Sequence, residues 1–311
     1  MKASKLTKKI PKHMNPLIAS MHFVIRTLPF RIAQPLIAFL IKNSGGILIK
    51  TSNIKRNIAD VFPHLNDAEI DALTKEMLAN TGRHIAETAH MKSFKEGKHG
   101  LRIDYTTPDG MVFDGKGPAI YVGAHVGSWE MFPILMAEKN QPFTIIYTPH
   151  ENAVLNGLMM KPRLETGVKY VEKSKALRPC LKALKNGESI GLLVDQRVSP
   201  GVEAEFFGRP ASFTQMPARL AIAHNCPIIT FDVVRIKTGH LRAVFRPAIL
   251  PNGEKGPEAE ARLTQEIATS IQGSITRNAE SWFCSKLRWK QSDKKRPFDP
   301  AEVKDTSGQP V

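Results

Sequence analysis

The sequence predicts an α/β fold with a mixed, mostly parallel central sheet that is flanked by helices. Two observations support this class. Short apolar runs such as AIYVGA at 119–124 and SIGLLV at 189–194 lack the polar–apolar alternation of strands exposed on one face. Segments with helical spacing separate them, as expected for parallel strands that are buried on both faces.

The elements follow one another in an alternating order along the chain. Residues 64–95 have apolar positions at helical spacing after the polar entry Asn66-Asp67. The remaining predicted helices cover 129–139, 153–164, 176–185, 215–223 and 257–278, and the predicted strands cover 119–124, 143–147, 189–194, 227–234 and 241–245.

The amino-terminal part, residues 1–50, is predicted to be a basic, amphipathic segment that associates with a membrane. The chain carries a net charge of +15, and lysines crowd its first residues. The apolar runs 17–25 and 32–41 are shorter than the roughly 20 residues needed to span a bilayer. Basic residues beside a broken apolar segment favour an anionic membrane surface. The alternative is an amphipathic helix that docks on the protein's own core.

The rest of the chain divides into one domain, residues 51–290, and a polar tail, 291–311, which is expected to be poorly ordered. The cysteines, Cys180, Cys226 and Cys284, are widely separated and form no C-x-x-C pair. They indicate neither a disulfide framework nor a thiolate zinc site, and a reducing cytoplasm fits them.

The segment from Gly123 to Glu130 lies where the first of the predicted strands gives way to a helix, which is the usual place for ligands in open α/β sheets. His125 and Glu130 are the residues of this segment whose side chains can take part in proton transfer. A histidine near a helix N-terminus is biased towards its neutral, basic form, and a carboxylate on its other ring nitrogen would fix the tautomer. The prediction is a general base for a hydroxyl nucleophile, with the Glu130 side chain folded back towards the imidazole.

These residues belong to a set of motifs that resembles the lysophospholipid acyltransferase superfamily, specifically the bacterial lipid A biosynthesis acyltransferases. The hallmark His-x4-Asp/Glu reads His125-Val-Gly127-Ser-Trp129-Glu130 here. Further similar stretches, in family order, are Arg56-Asn57-Ile58 with Phe62-Pro63, Arg163 with Gly167, Leu193 to Gln196, Phe206-Phe207-Gly208 and Pro227-Ile228-Ile229. Near the carboxyl end, Cys284 and Lys286 replace the family's usual aromatic and histidine.

The resemblance implies a lysophospholipid acyltransferase-like fold and an O-acyltransferase on the cytoplasmic face of the inner membrane. The donor would be acyl carrier protein, with coenzyme A as the alternative, and no metal or other cofactor is implied. His125 would be the base and Glu130 its orienting partner. Arg163 would bind a phosphate or the oxyanion, and Asp195 and Gln196 would line the substrate pocket, with Gly127 and Ser128 as further substrate-binding positions.

The acceptor stays open between several membrane lipids. The resemblance favours a lipid A precursor, and a glycerolipid, an ornithine-type lipid or a mannosylated lipid are the alternatives. A basic protein that binds nucleic acid or anionic membrane without catalysis is the less favoured alternative, because the aromatic residues lie within apparent core segments rather than among the basic ones. Nucleic acid is therefore not an expected partner.

Overall fold

The computed structural model describes residues 15–47, 49–109, 111 and 117–289, and the structural statements below concern these residues. The lysines at positions 2 to 12 and the tail 291–311 lie outside the described residues. The boundaries at residues 50 and 290 therefore stay predictions.

A seven-stranded sheet forms the centre of the protein, with the strand order β1-β9-β8-β2-β5-β3-β4. Adjacent strands are parallel except β8 and β9, which pair antiparallel. The predicted mixed, mostly parallel sheet is thus confirmed. The strands are β1 (Arg102–Thr106), β2 (Ile120–Gly127), β3 (Phe143–Tyr147), β4 (Lys169–Glu172), β5 (Ser189–Leu193), β8 (Ile228–Lys237) and β9 (His240–Phe245), and β6 (Val202–Phe206) and β7 (Arg209–Phe213) form a separate hairpin.

The helices cover both faces of this sheet. They are α1 (Asn15–Thr27), α2 (Phe30–Ser44), α3 (Thr51–Val61), α4 (Asp67–Ala89), α5 (Met91–Lys95), α6 (Phe132–Glu138), α7 (Ala153–Leu164), α8 (Leu177–Lys185), α9 (Met216–His224) and α10 (Pro257–Arg277). Strand β2 shows the layering, because Ile120 and Val122 pack in one core cluster and Tyr121 packs in another. Burial on both faces explains why the strands read as unbroken apolar runs.

Several predicted boundaries differ from the structure. The helix predicted over 64–95 is two helices, since α4 ends at Ala89 and α5 begins at Met91. The helix α4 begins with a capping box, in which the side chains of Asn66 and Glu69 each accept a hydrogen bond from the other's backbone N–H. The helix predicted from residue 129 begins as a 3-10 turn, Trp129–Met131, before α6. The strands β1 and β4 and the hairpin β6–β7 were not predicted.

The helices α1 and α2 are amphipathic, and α2 packs along α4. Ala33 and Ile37 are buried on the inner side of α2. The two helices meet closely at Gly82, where a Cβ atom would lie 2.5 Å from the carbonyl oxygen of Ile37. Exposed apolar side chains on the outer side are Leu17, Met21, Phe23, Val24, Ile32, Leu36, Phe39 and Leu40. The inner face of α2 thus docks on the protein's own core, which was the alternative, and membrane association of the segment stays a prediction.

The described helices include none that is long and apolar enough to cross a membrane alone. One bent pair of segments, Phe30–Ile47 with Thr51–Val61, meets the requirements of length and composition together.

Candidate active site

The candidate site lies at the carboxyl ends of the neighbouring parallel strands β2 and β5. Gly123 of β2 is in register with Leu193 of β5. His125 and Asp195 each follow these positions by two residues, so the sheet itself brings their side chains together. Ligand sites of open α/β sheets form at this edge.

His125 donates or accepts through both ring nitrogens. Its Nδ1 atom lies 2.7 Å from Oδ1 of Asp195. The other oxygen of Asp195 accepts a hydrogen bond from Nε1 of Trp282 at 3.1 Å. Burial alone would raise the pKa of Asp195, but the charge and hydrogen bond of His125 and the Trp282 bond lower it overall. An ionised Asp195 places the ring proton on Nδ1 and leaves the lone pair on Nε2.

The Nε2 atom of the ring is the nitrogen that the Asp195 carboxylate leaves free for a substrate. The side chain of His125 is 21% exposed, whereas that of Asp195 is 2% exposed. The amide Nε2 of Gln196 lies 3.4 Å from Nε2 of His125. A substrate hydroxyl that replaces this weak contact would meet the basic nitrogen directly. Asp195 and Gln196 were predicted to line the pocket, and the structure places both against the imidazole.

Glu130 does not hold the imidazole, contrary to the predicted hydrogen bond. Its carboxylate forms a two-point ion pair with Arg163 of α7, with Nε of Arg163 2.8 Å from Oε2. The 3-10 turn after Ser128 directs the Glu130 side chain towards α7, while the sheet register gives His125 a different carboxylate. Burial would raise the pKa of Glu130, but the charge and hydrogen bonds of Arg163 lower it. Glu130 therefore stays ionised beside the site.

Arg163 was predicted to bind a phosphate or the oxyanion, and the structure gives it another partner. Its Nε and Nη2 groups both donate to Glu130. The rings of Tyr147 and Tyr170 flank the guanidinium at about 6 Å. The carboxylate engages the guanidinium in the paired geometry that a phosphate would need. Arg163 thus anchors α7 to the turn that follows His125.

Gly127 and Ser128 were predicted to contact substrate, and the structure places both in the interior. Gly127 has φ +64°, and a Cβ atom there would lie 2.2 Å from the carbonyl oxygen of Val233. Ser128 is buried and donates a hydrogen bond to Oε2 of Glu87 at 2.7 Å. Their role in this geometry is to shape the turn that carries Glu130.

Glu87 of α4 is the centre of a buried network that the sequence analysis missed. Its carboxylate is fully buried and accepts hydrogen bonds from Ser128, from Nε and Nη2 of Arg235, and from Nε2 of Gln34 at 2.8 Å. The network joins α2, α4, β8 and the turn after β2. No motif in the sequence marks these positions, because their partners are distant along the chain.

A second histidine lies behind the site. His84 of α4 stacks on the indole of Trp129, with the ring centroids 3.8 Å apart, and Trp129 meets the His125 ring edge to face. Burial, as the largest cause, lowers the pKa of His84 to about 4. His84 is therefore neutral near pH 7, and its Nδ1 atom has no hydrogen-bond partner among the described residues.

The segment after α10 completes the site from the far end of the chain. Asn57 of α3 donates to the carbonyl oxygens of Cys284 and Lys286 at 2.7 and 2.8 Å, and it accepts from the backbone N–H of Arg288. The N–H of Phe283 donates to the carbonyl oxygen of His125 at 2.7 Å. These bonds fix the segment that presents Trp282 to Asp195.

Within the described part of the chain, no group of three or more His, Cys, Asp or Glu side chains is placed to hold a metal ion. The chemistry that the site does offer is proton transfer at Nε2 of His125. A neutral imidazole backed by a buried carboxylate can take a proton from a hydroxyl as that hydroxyl attacks an acyl carbon.

Comparison with known proteins agrees with this chemistry. The chain is similar to the phosphatidylinositol mannoside acyltransferase of Mycolicibacterium smegmatis, with 21% identity over 277 residues that cover 86% of this chain and 88% of the relative. It is also 21% identical over 246 residues to the phosphatidylinositol mannoside acyltransferase of Mycobacterium tuberculosis, with 76% of each chain covered. The profile of the family described as "Bacterial lipid A biosynthesis acyltransferase" matches residues 2–291. The chain therefore belongs to the bacterial lipid A biosynthesis acyltransferase family and is an acyltransferase.

Proposed function

We propose that the protein transfers a fatty acyl group from the thioester of acyl carrier protein to a hydroxyl of a membrane glycolipid. The observation that carries this proposal is the His125–Asp195 pair, in which a buried carboxylate holds Nδ1 of a partly exposed imidazole. A hydroxyl needs such a base near neutral pH.

The transfer needs no covalent intermediate on the protein. The acceptor hydroxyl gives its proton to Nε2 of His125 while its oxygen forms a bond to the thioester carbon. Asp195 stabilises the imidazolium that results. The tetrahedral intermediate then expels the thiolate, which takes the proton back from Nε2. The products are the ester and the free thiol, and His125 returns to its neutral state.

Two acceptors are proposed, in order. A lipid A precursor is the first, since the description of the matching family names lipid A biosynthesis. A mannosylated phosphatidylinositol is the second, since the similar mycobacterial proteins are named for it. Both are glycolipids that offer sugar hydroxyls. Acyl carrier protein is proposed as the donor because an acidic carrier would be attracted by a chain of net charge +15.

The outer face of α1 and α2 is proposed to rest on the cytoplasmic leaflet of the inner membrane. Phe23 and Phe39 are 67% and 64% exposed there. The two helices contain no acidic residue, and Arg26 and Arg31 are exposed, whereas Lys42 forms an ion pair with Glu76 of α4. An exposed apolar face with only basic charges suits an anionic lipid surface. α1 packs against α7, the helix that Arg163 anchors to the turn after His125.

Acyl transfer by the purified full-length protein tests the proposal. Labelled acyl carrier protein is the donor, and a lipid A precursor and a mannosylated phosphatidylinositol are offered side by side in mixed micelles. Wild type is expected to acylate at least one of them, and His125→Ala is expected to be slower by about a hundredfold or more. Equal rates for His125→Ala and wild type would overturn the mechanism. Transfer to neither lipid would overturn both acceptor assignments.

A further inference from the structure

Two lysines near the carboxyl ends of the strands or in the segment after α10, Lys173 and Lys286, have no ion-pair partner among the residues that the structure describes. Nζ of Lys286 lies 3.4 Å from Oε1 of Gln196, and Nε2 of the same amide lies 3.4 Å from Nε2 of His125. A single glutamine side chain therefore separates this ammonium group from the base. No described carboxylate forms an ion pair with Lys286 or with Lys173.

The sheet topology places Lys173 in the same region. It follows the last residue of β4, as Gln196 follows β5 and His150 follows β3. The order β2-β5-β3-β4 makes these strands neighbours, so the groups that follow them share one edge of the sheet. Burial lowers the pKa of Lys173, and the charge of Lys286 lowers it further. Lys286 also lowers the pKa of His150, after the larger effects of burial, which lowers it, and of Glu151, which raises it.

We propose that Lys286 and Lys173 form a subsite for a phosphate group of the acceptor lipid, next to the hydroxyl that is acylated. This inference rests on the proposed function and adds the chemistry by which the acceptor is recognised. Two ammonium groups with no anionic partner attract a multiply charged oxyanion, and lysine binds phosphate as a point charge.

The position of the cluster favours the acceptor over the donor as the source of the phosphate. The reacting hydroxyl has to reach Nε2 of His125, and Lys286 is one side chain away from that atom. A phosphopantetheine arm carries its phosphate at the end remote from the thioester. Its phosphate would therefore lie far from His125 when the thioester carbon is beside the imidazole.

The test compares acceptors with and without phosphate. The probes are mannosylated phosphatidylinositol against the matching mannosyl diacylglycerol, and a lipid A precursor against the same lipid after phosphatase treatment. The variants are Lys286→Ala, Lys173→Ala and Lys286→Arg, with Lys255→Ala as the matched control, since Lys255 is an exposed lysine in the loop before α10. All three positions are exposed, and a thermal unfolding curve for each of the four variants checks that the fold is retained.

For the phosphorylated acceptor, Lys286→Ala and Lys173→Ala are each expected to raise KM about tenfold or more, with kcat nearly unchanged. Lys286→Arg and Lys255→Ala should stay close to wild type. For the phosphate-free acceptor, all variants should match wild type. An equal effect with both acceptors, or no effect with the phosphorylated one, would overturn the subsite.

The donor is tested separately, with acyl carrier protein compared with an acyl-pantetheine thioester that lacks the phosphate. If Lys286→Ala changes only the KM for the phosphorylated donor, the subsite binds the phosphate of the donor. That result would overturn the proposal. If wild type acylates neither lipid, the proposed function fails. The subsite is then tested by calorimetric measurement of the binding of the deacylated, phosphorylated headgroups. The proposal requires that Lys286→Ala binds them more weakly than Lys255→Ala does, and equal binding would overturn it.

Discussion

The Nδ1 atom of His125 lies 2.7 Å from Oδ1 of Asp195, although the two residues are 70 positions apart in the chain. The parallel pairing of β2 and β5 creates this contact, so the base and its orienting carboxylate come from neighbouring strands. Asp195, and not Glu130, is therefore the group that selects the tautomer of the imidazole.

This assignment predicts that Asp195→Asn lowers kcat by about a hundredfold or more, because an amide does not stabilise the imidazolium. Trp282→Phe removes one hydrogen bond to Asp195 and should lower kcat by a smaller factor than Asp195→Asn does. Steady-state rates on folded variants are the measurement. A kcat for Asp195→Asn equal to that of wild type would contradict the role.

The Glu130–Arg163 pair is predicted to contribute to stability as a unit. Both side chains are 10% exposed, so removal of either partner leaves a buried charge, at a cost of about 3–5 kcal/mol in the free energy of unfolding. Urea unfolding of Glu130→Leu, Arg163→Met and the double variant measures this. The loss of unfolding free energy in the double variant should be smaller than the sum of the losses in the two single variants. Strict additivity would show that the pair is not coupled.

His84 is predicted to make the protein less stable as the pH falls. Its pKa is about 4 in the folded protein and 6.5 as a free side chain, so the unfolded chain takes up the proton first on acidification. The free energy of unfolding should therefore decrease from pH 6.5 to pH 4, by up to about 1.4 kcal/mol per pH unit from this group.

The matched variant is His84→Phe, which keeps an aromatic ring against Trp129 and does not titrate. Urea unfolding at a series of pH values should give a shallower slope between pH 4 and pH 6.5 for this variant. Parallel slopes for wild type and His84→Phe would show that His84 is not the group responsible.

Ser128→Ala is predicted to affect stability and not substrate binding. The hydroxyl donates to the buried carboxylate of Glu87, and its loss should lower the free energy of unfolding by about 1–3 kcal/mol. The KM values for donor and acceptor should stay those of wild type. A raised KM for either substrate with unchanged stability would restore Ser128 to the pocket.

Gly127→Ala is predicted to abolish activity through the backbone. The residue has φ +64°, and its Cβ atom would lie 2.2 Å from the carbonyl oxygen of Val233, so the turn after His125 has to move. The variant should unfold at a lower urea concentration and show little transfer. Gly157→Ala is the control, since no heavy atom lies within 4 Å of a Cβ atom there.

The sequence predicted the central strands because their burial on both faces leaves a continuous apolar pattern, as in β2 and β5. It did not predict β1, which is exposed over much of its length, or β4, which is short. The pattern of such strands is set by their neighbours in the sheet and not by their own residues. The motif around His125 did locate the site, because the residues of that motif are close together in the sequence.

The partners within the site were harder to predict. The spacing of His125 and Glu130 predicted a direct contact, whereas the 3-10 turn that contains Glu130 directs its side chain to Arg163. Asp195 was found as a pocket residue, but its hydrogen bond to His125 depends on strand register, which one sequence does not reveal. Glu87 and Arg235 lacked any local pattern, and only the fold brings them together.

The bond from Gln34 to Glu87 has a consequence for how the protein could be altered. Lifting α2 away would open to water a carboxylate that also anchors Arg235 and the turn after His125. The helix α2 is thus part of the structure that holds the turn after His125 in place. A redesign of the outer surface of α2 would have to proceed by exchange of outward side chains, with the helix itself kept in place.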